Sequence, residues 1–351
     1  MMASEQRARE VAHWQVLTFR ARSFRWASAF LSVAERRKVA SLYAFCRAVD
    51  DLADADWVTP EAQADLESIL AALEAEPNGE KLWPEGYLWF RDLCLECQID
   101  FGVVRELLLG MLSDLGVVRV QSDADLVRYC YRAAGTVGLM MCSVLGVRDP
   151  RALRHAIDLG IAMQLTNISR DVLEDAEACR VYLPAKRLED YGVSPEDLVD
   201  GRADPQAVGV VVSDVLELSE RYYQSGDAGM RYLPARARWA ILVASRLYRG
   251  IGRRLRRRQQ SNPLAGRAVV PWFAKVGLVA SATASWFRVT LFPPKTRPML
   301  PYRDYPVGVR KKPKTSAIDT AVASTPEENG ATGTATVHVV SRSNHVLGHP
   351  R

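Results

Sequence analysis

LYAFCRAVDDLAD occupies residues 42–54, and a related pattern, QLTNISRDVLED, occupies residues 164–175. Each stretch is mostly apolar, has helical character and ends in two carboxylates four residues apart. Because residues spaced i, i+3 or i+4, i+7 and i+11 share one face of a helix, each stretch predicts a polar stripe along an otherwise apolar helix. The stripes are Tyr43, Arg47, Asp50 and Asp54 on the first helix and Gln164, Asn167, Asp171 and Asp175 on the second.

The composition of these stripes favours a lined cavity over a solvated face. Solvated faces usually mix lysine with glutamate, whereas these stripes mix carboxylate, amide, tyrosine and arginine, and such groups are costly to bury without partners. Facing carboxylates repel unless a cation lies between them. Oxygen-only ligand sets suit Mg²⁺, with Mn²⁺ as an alternative, and Mg²⁺ typically binds one or two carboxylates plus substrate phosphates. We therefore predict a Mg²⁺-diphosphate site, with Arg47 and Arg170 neutralising the remaining phosphate charge.

The rest of the chain predicts an all-α fold. Apolar residues recur at three- and four-residue intervals over windows such as 126–147, 153–172 and 208–223, with Pro and Gly between them. No linker precedes residue 292, so residues 1–292 are predicted to form one helical domain around a central apolar cavity. Residues 293–351 are rich in Pro and basic residues and then in Ser, Thr, Ala and Gly, which predicts a disordered tail.

Composition narrows the class of protein further. The hydrophobic content of 48% suffices for a large core, and the net charge of +5 does not argue for a nucleic-acid partner. Scattered cysteines and a polar N-terminus without a secretory leader predict a cytoplasmic protein. The apolar run at residues 276–287 is about half of the roughly 20 residues that a membrane span requires. Arg253–Arg258, with nearby Trp and Phe residues, leaves peripheral contact with the inner face of an anionic membrane open.

Several stretches of the chain resemble the squalene/phytoene synthase family, in the family's order, over residues 15–290. Residues 43–51, with Ser23-Phe24 upstream, are similar to the first family signature, residues 164–184 to the second, and residues 129–138 to a third. Tyr248 stands where the family carries an active-site tyrosine. Arg20-Ala21-Arg22 departs from the His-Ser pair that some members carry upstream of Ser23, so phosphate contacts from that segment stay open.

The resemblance, greatest to bacterial phytoene synthases, implies an α-helical isoprenoid synthase fold. The implied Mg²⁺ ligands are Asp50, Asp54, Asn167, Asp171 and Asp175, and the implied diphosphate contacts are Ser23, Tyr43, Arg47, Gln164, Asn167 and Arg170. Tyr129 and Tyr248 are expected to stabilise a carbocation or to relay a proton. The cavity wall is expected to include Phe24, Phe45, Val137, Leu139, Met140, Leu165 and Ile168.

The implied reaction is the head-to-head condensation of two prenyl diphosphates through a cyclopropylcarbinyl diphosphate. Loss of a proton from two geranylgeranyl units would give phytoene, without NADPH, for carotenoid synthesis. The alternative is a synthase of squalene, dehydrosqualene or presqualene diphosphate that uses farnesyl diphosphate. Two other classes fit less well: a chain-elongating prenyltransferase or terpene cyclase, and a catalytically inactive scaffold, which would be expected to have lost the carboxylates.

Overall fold

The computed structural model describes residues 31–53, 60–75, 83–258, 262–266 and 271–291. Nearly all of these residues are helical, which confirms the predicted all-α fold. The α-helices are α1 Val33–Ala53, α2 Pro60–Ala75, α3 Leu88–Cys97, α4 Phe101–Leu112, α5 Asp123–Cys130, α6 Thr136–Val144, α7 Pro150–Arg170, α8 Val172–Glu177, α9 Ala185–Glu189, α10 Pro195–Val199, α11 Pro205–Gly229, α12 Ala235–Arg258 and α13 Trp272–Leu291.

Shorter elements connect these helices. Two 3₁₀ turns occur at Glu85–Tyr87 and Met230–Tyr232, and a π-helical turn, Tyr131–Gly135, joins α5 to α6. The strands β1, Val118–Arg119, and β2, Arg180–Val181, form a two-residue parallel pair in which Val118 lies opposite Arg180. This pair fixes the segment that follows the second acidic cluster against the segment that follows α4.

Two long helices of the core, α7 and α11, begin in the same way. Asp149 accepts a hydrogen bond from the backbone N–H of Arg151 over 2.9 Å at the start of α7, and Asp204 accepts one from Gln206 over 3.2 Å at the start of α11. Proline occupies the first helical position of both helices. An aspartate cap followed by proline satisfies free backbone donors and sets the first φ angle, so both starts are encoded locally.

Helix α7 lies at the centre of the fold and packs against α6, α11 and α12. Glycines permit the closest approaches. A Cβ at Gly160 would lie 2.3 Å from the carbonyl oxygen of Ala134, and one at Gly138 would lie 2.4 Å from that of Ala156. Because real Cβ contacts are much longer, any larger residue at these positions would push α7 away from α6 and from the π-helical turn.

Several predictions fall on residues outside the described part of the chain, namely the first 30 residues, Asp54 and the predicted tail at 293–351. The domain boundary at residue 292 therefore stays a prediction. Within the part of the chain that the structure describes, no helix combines the length and apolar character needed to cross a bilayer.

Candidate active site

A cavity of about 240 Å³ lies between α1, α6, α7, α11 and α12. Most of its lining is apolar, with Met141, Leu159, Met163 and Ile241 among the larger side chains. The polar lining comprises Tyr43, Gln164, Asn167, Tyr248 and His155. The first four come from both predicted stripes and from the predicted tyrosine on α12, so the fold brings them together around one apolar space.

On α1, arginine neutralises the first acidic cluster. Nη1 of Arg47 donates to Asp50 Oδ2 over 2.6 Å, and its Nη2 donates to Asp51 Oδ1. Tyr43, one turn earlier, lines the cavity. The guanidinium therefore holds two carboxylates at the end of α1, where the sequence predicts the metal ligand Asp50. Asp54 and Ser23, the other predicted site residues of this region, lie outside the described residues.

On α7, an arginine also pairs with the second acidic cluster, but it binds a single carboxylate. Nε of Arg170 donates to Asp171 Oδ1 over 2.7 Å, and Nη2 donates to Oδ2, so the pair is bidentate. Burial opposes the charge of Arg170, but the hydrogen bonds and charge of Asp171, with weaker help from Tyr248 and Asp175, raise its pKa above the usual value. Arg170 thus stays cationic at the cavity end that carries the carboxylates.

Asn167 presents an unused acceptor at the same end. Its Nδ2 donates to Gln164 Oε1 over 3.3 Å. Its Oδ1 is buried, and no described residue donates to it. A buried acceptor without a donor costs free energy, so this oxygen suits a ligand that would reach it from the cavity. Among the described residues, which exclude Asp54, no three His, Cys, Asp or Glu side chains are already grouped as a metal site.

The second acidic stripe is not one regular helix. Asp171 leaves helical geometry, with φ −106° and ψ 19°, and separates α7 from α8. The i to i+4 hydrogen bonds nevertheless continue through it, from Asp171 to Asn167 over 2.9 Å and from Asp175 to Asp171 over 2.8 Å. The predicted face is therefore kept approximately, with a bend at the predicted metal ligand.

Asp175 lies beside Arg180 and Tyr182 in a separate small recess rather than on the wall of the main cavity. Arg180 Nη1 lies 3.4 Å from the carbonyl oxygen of Ala53, the last residue of α1. Ala53 directly precedes Asp54 in the sequence. Arg180 therefore links the ends of the two acidic segments, a role that the sequence pattern did not indicate.

Tyr129 also lies off the cavity wall. Its hydroxyl donates to Asp114 Oδ2 over 2.9 Å, and Tyr182 donates to Asp114 Oδ1 over 2.6 Å. The two rings stack with centroids 4.6 Å apart. Burial, and then the charge of Asp114, raises the pKa of Tyr129 well above its usual value. The structure thus places Tyr129 in a buried cluster with Asp114 and Tyr182, whereas Tyr248 lines the cavity.

Comparison with known proteins agrees with this geometry. The family model described as squalene/phytoene synthase matches residues 18–274. The chain belongs to the squalene/phytoene synthase family. It is 40% identical to a 15-cis-phytoene synthase of Enterobacter agglomerans over 66% of this chain and 80% of that one. It is 36% identical to a phytoene synthase of Thermus thermophilus over 80% and 93% of the two chains.

Solved structures lead to the same family. The crystal structure of a dehydrosqualene synthase in complex with a ligand superposes with a TM-score of 0.69 at 27% identity, over 80% of this chain and 97% of that one. A squalene synthase from Alicyclobacillus acidocaldarius gives a TM-score of 0.62 at 21% identity, over 74% and 97%. The second likeness bears on the fold alone, and it agrees with the predicted isoprenoid synthase architecture.

The cavity of this family member is built mostly from residues other than those expected. Of the predicted wall residues, only Val137 lines it. The others that the structure describes are buried in the surrounding core: Phe45, Leu139, Met140, Leu165 and Ile168. Phe24 lies outside the described residues. The prediction was wrong at these positions because apolar residues on both faces of a central helix look alike in sequence, and Met141 and Met163 occupy the wall instead.

Two thiols on the cavity wall are kept neutral. Burial raises the pKa of Cys46 to about 12, with a smaller contribution from Asp50, and burial raises the pKa of Cys142 to about 12. A thiol is a weak nucleophile when it is not ionised. At neutral pH these two thiols therefore remain protonated and do not add thiolate nucleophiles to the wall.

Proposed function

We propose that the chain is a phytoene synthase that condenses two geranylgeranyl diphosphates head to head. The first step forms a cyclopropylcarbinyl diphosphate and releases one diphosphate and one proton. The second step ionises that intermediate, rearranges it and releases a second diphosphate and a second proton. The observation that carries the proposal is an apolar cavity whose one end bears Tyr43, Gln164, Asn167 and Tyr248, with two arginine–carboxylate pairs beside it.

Mg²⁺ fits this end of the cavity. Asn167 Oδ1 is a buried acceptor without a donor among the described residues, and the nearby ligands are oxygens. Asp50, Asp54, Asn167, Asp171 and Asp175 would hold the metal, and Mn²⁺ is the alternative ion. When bound, the metal supplies Lewis-acid stabilisation of a departing diphosphate. The ion pairs that now join Asp50 to Arg47 and Asp171 to Arg170 would then exchange partners.

The arginines have a defined role in this exchange. Arg47 and Arg170 offer forked donors that match phosphate oxygens as well as carboxylates. Once the carboxylates bind cations, both guanidiniums can turn to the diphosphate without losing charge compensation. Ser23, Tyr43, Gln164 and Asn167 would add neutral hydrogen bonds. The apolar wall excludes water, which would otherwise quench the allylic cation.

The two tyrosines are assigned different roles. Tyr248 lines the cavity close enough to Arg170 to affect its pKa, so its ring or hydroxyl is proposed to face the cation. Tyr129 donates to Asp114 in a buried cluster off the cavity wall, so any proton relay through it would pass through Asp114. Replacement of Tyr248 by Phe should slow the second ionisation more than replacement of Tyr129 does.

A thirty-carbon product is the alternative. The solved neighbours include a dehydrosqualene synthase and a squalene synthase, and the groups that would bind a diphosphate do not distinguish one chain length from another. The test is to offer farnesyl and geranylgeranyl diphosphate separately to the purified chain, with and without NADPH, and to identify the hydrocarbons. Phytoene from geranylgeranyl diphosphate without NADPH supports the proposal. A thirty-carbon hydrocarbon alone, or reduction by NADPH, contradicts it.

We further propose peripheral contact with a membrane through α13 and the end of α12. The inner face of α13 packs on α12, where Trp286 Nε1 donates to the carbonyl of Ala235 over 2.8 Å. The outer face is an apolar stripe with four- and three-residue spacing, consisting of Val276, Ala280, Ala284, Phe287 and Leu291. Val276, Phe287 and Leu291 are 60%, 54% and 68% exposed.

Charge complements this stripe. The helix α13 contains no Asp or Glu, and Arg253, Arg256 and Arg257 are exposed on α12. An interfacial helix with cationic neighbours binds anionic lipid, and both substrate and product are lipids. Vesicles with anionic lipid should sediment the protein, and high salt should release it. Phe287→Ser with Leu291→Ser should reduce sedimentation, whereas Val210→Ser, an exposed apolar change on α11, should not. Equal sedimentation of all variants contradicts the contact.

A further inference from the structure

The far end of the cavity contains a polar group that the reaction does not use. His155 on α7 lines the cavity and is only 8% exposed. Among the lining residues on α7, only His155 is ionisable. It precedes Gln164 and Asn167 on that helix by several turns. A buried histidine on the wall of an apolar space needs hydrogen-bond partners for its ring nitrogens.

Neighbouring helices hold His155 in one orientation. Ser225 on α11 donates its hydroxyl hydrogen to Asp158, so its oxygen accepts from Nδ1 of His155, 2.9 Å away. The imidazole stacks on Tyr232, with ring centroids 6.1 Å apart and an angle of 16°. Gly229 makes room for it, since a Cβ there would lie 2.3 Å from the His155 Cβ. The ring is thus a fixed surface.

The distance from this surface to the diphosphate end follows from the helix itself. His155 and Asn167 lie on the same α-helix, and the 12 residues from 155 to 167 at 1.5 Å per residue span about 18 Å. One isoprene unit adds four main-chain bonds, roughly 5 Å in an extended chain with C–C bonds near 1.5 Å. Three units reach about 15 Å and four reach about 20 Å. Only the fourth unit meets His155.

We propose that His155, held by Ser225 and Tyr232, is the floor of the prenyl cavity and determines the chain length that the enzyme accepts. The inference rests on the proposed function and adds to it the residue that selects a four-unit substrate. Ser225 and Asp158 are positioning residues, because they act only through the imidazole. Met230 and Leu233, which flank Tyr232 in the chain, complete this end of the lining.

Two variants at one position test the proposal in opposite directions. His155→Ala removes the floor and leaves the Ser225–Asp158 hydrogen bond in place. We expect it to raise kcat/KM for the five-unit geranylfarnesyl diphosphate, relative to the four-unit substrate, at least tenfold. His155→Trp raises the floor and should lower kcat/KM for the four-unit substrate at least tenfold relative to farnesyl diphosphate. The control is Arg154→Gln, an exposed change on the same helix, which should leave both ratios unchanged.

Ratios between substrates separate a floor from a purely structural role. A variant that merely lowers the folded fraction reduces all rates equally and leaves the ratios at their wild-type values. Ser225→Ala should shift the ratios in the same direction as His155→Ala, and Ser225→Thr, which keeps a hydroxyl, should restore them. Unchanged ratios in His155→Ala, with the four-unit substrate still condensed, would overturn the proposal.

A measurement on the wild-type protein covers the case in which variants do not fold. Unreactive n-alkyl diphosphates of increasing length are tested for binding in the presence of Mg²⁺. Affinity should rise about fourfold per buried methylene and stop rising where the chain reaches His155, at about 14 to 16 main-chain carbons. A steady rise beyond this length overturns the floor. Absence of phytoene from wild-type enzyme would instead reject the proposed function, and the length profile would still report the floor.

Discussion

The two ends of the cavity differ in how they are built. At one end, Asp50 and Asp171 are each bound by an arginine from their own helix, and Asn167 offers a buried oxygen without a donor. At the other end, Nδ1 of His155 is hydrogen-bonded to the Ser225 hydroxyl on another helix, and the imidazole stacks on Tyr232. At the first end, the charged side chains can exchange their present partners for a ligand. At the second end, His155 already has a hydrogen-bond partner, so we expect it to affect a ligand through its shape. Substitutions should therefore affect rate at the first end and selectivity at the second.

The largest effect is expected from Asp171→Asn. The change removes a predicted metal ligand and the bidentate partner of Arg170, whose side chain is only 13% exposed. We expect kcat/KM for geranylgeranyl diphosphate to fall at least about a thousandfold, equivalent to about 4 kcal/mol. The matched control is Glu217→Gln, which removes a carboxylate from an exposed pair with Arg221 and should leave activity unchanged. Equal activity of the two variants would reject the metal assignment.

A smaller loss of rate is expected from Asn167→Leu. The variant keeps the size of the side chain but removes the buried acceptor Oδ1, so kcat/KM should fall about a hundredfold, the upper range for loss of a group that supports a metal site. The Mg²⁺ concentration for half-maximal rate should also rise. Asn167→Asp, which keeps an oxygen, is the paired variant. If the leucine variant needs no more Mg²⁺ than wild type, Asn167 does not contact the metal.

Tyr129→Phe tests the buried cluster of Tyr129, Tyr182 and Asp114, which lies off the cavity wall. The change removes one of two hydroxyls that donate to the buried Asp114, which should lower the free energy of unfolding by about 1 to 3 kcal/mol at pH 7, as measured by urea unfolding. Tyr191→Phe, at an exposed tyrosine, is the control and should have no effect. A stability equal to wild type would show that the hydrogen bond contributes nothing.

The pH dependence of the same variant has a definite sign. The pKa of Tyr129 in the folded protein is raised from 10.0 by burial and by Asp114, so folding favours the protonated hydroxyl. Its stabilisation is complete below pH 10 and is lost as the pH rises above 10. Wild type should therefore lose more free energy of unfolding between pH 9 and 11 than Tyr129→Phe does. Parallel curves for the two proteins would contradict the raised pKa.

The smallest effect is expected from an experiment on the wild-type protein, which compares the reactivity of its cysteine thiols. Cys46 and Cys142 line the cavity with pKa values raised to about 12, whereas Cys179 is exposed. At pH 8 a thiol reagent should modify Cys179 at least tenfold faster than either wall thiol, as followed by peptide mass spectrometry. Urea should abolish the difference. Rapid labelling of Cys46 in the folded protein would show that water enters the cavity freely.

The sequence alone singles out the residues of the charged end, whereas it gives no indication of His155. Asp50, Arg47, Asn167 and Asp171 occur in local patterns, and local helical geometry is enough to place them on one face. Tyr248 required the resemblance to a family, because nothing in its own surroundings distinguishes it from a core tyrosine. The all-α fold followed from periodicity, since apolar spacing of three and four residues depends little on tertiary contacts.

The floor and the supporting contacts depend on long-range packing, which one sequence does not report. His155 meets Ser225 across 70 residues, and Tyr182 meets Asp114 across 68. Arg180 reaches Ala53 across 127 residues. For the same reason the wall residues were assigned to the wrong helix faces at Leu139 and Met140. A helix that is buried all round has no polar side from which its orientation could be read.

The π-helical turn at Tyr131–Gly135 has a consequence for how this chain tolerates changes in length. A π turn contains more residues per turn than an α-helix, so deletion of one residue there would convert α5 and α6 into a single regular rod. Helix α5 would then rotate by about 100° about its axis relative to α6. Tyr129, which lies on α5, would no longer face Asp114. Homologous chains that lack the extra residue are therefore expected to lack the hydrogen bond between this tyrosine and this carboxylate. The inserted residue and the hydrogen bond should be gained or lost together in evolution.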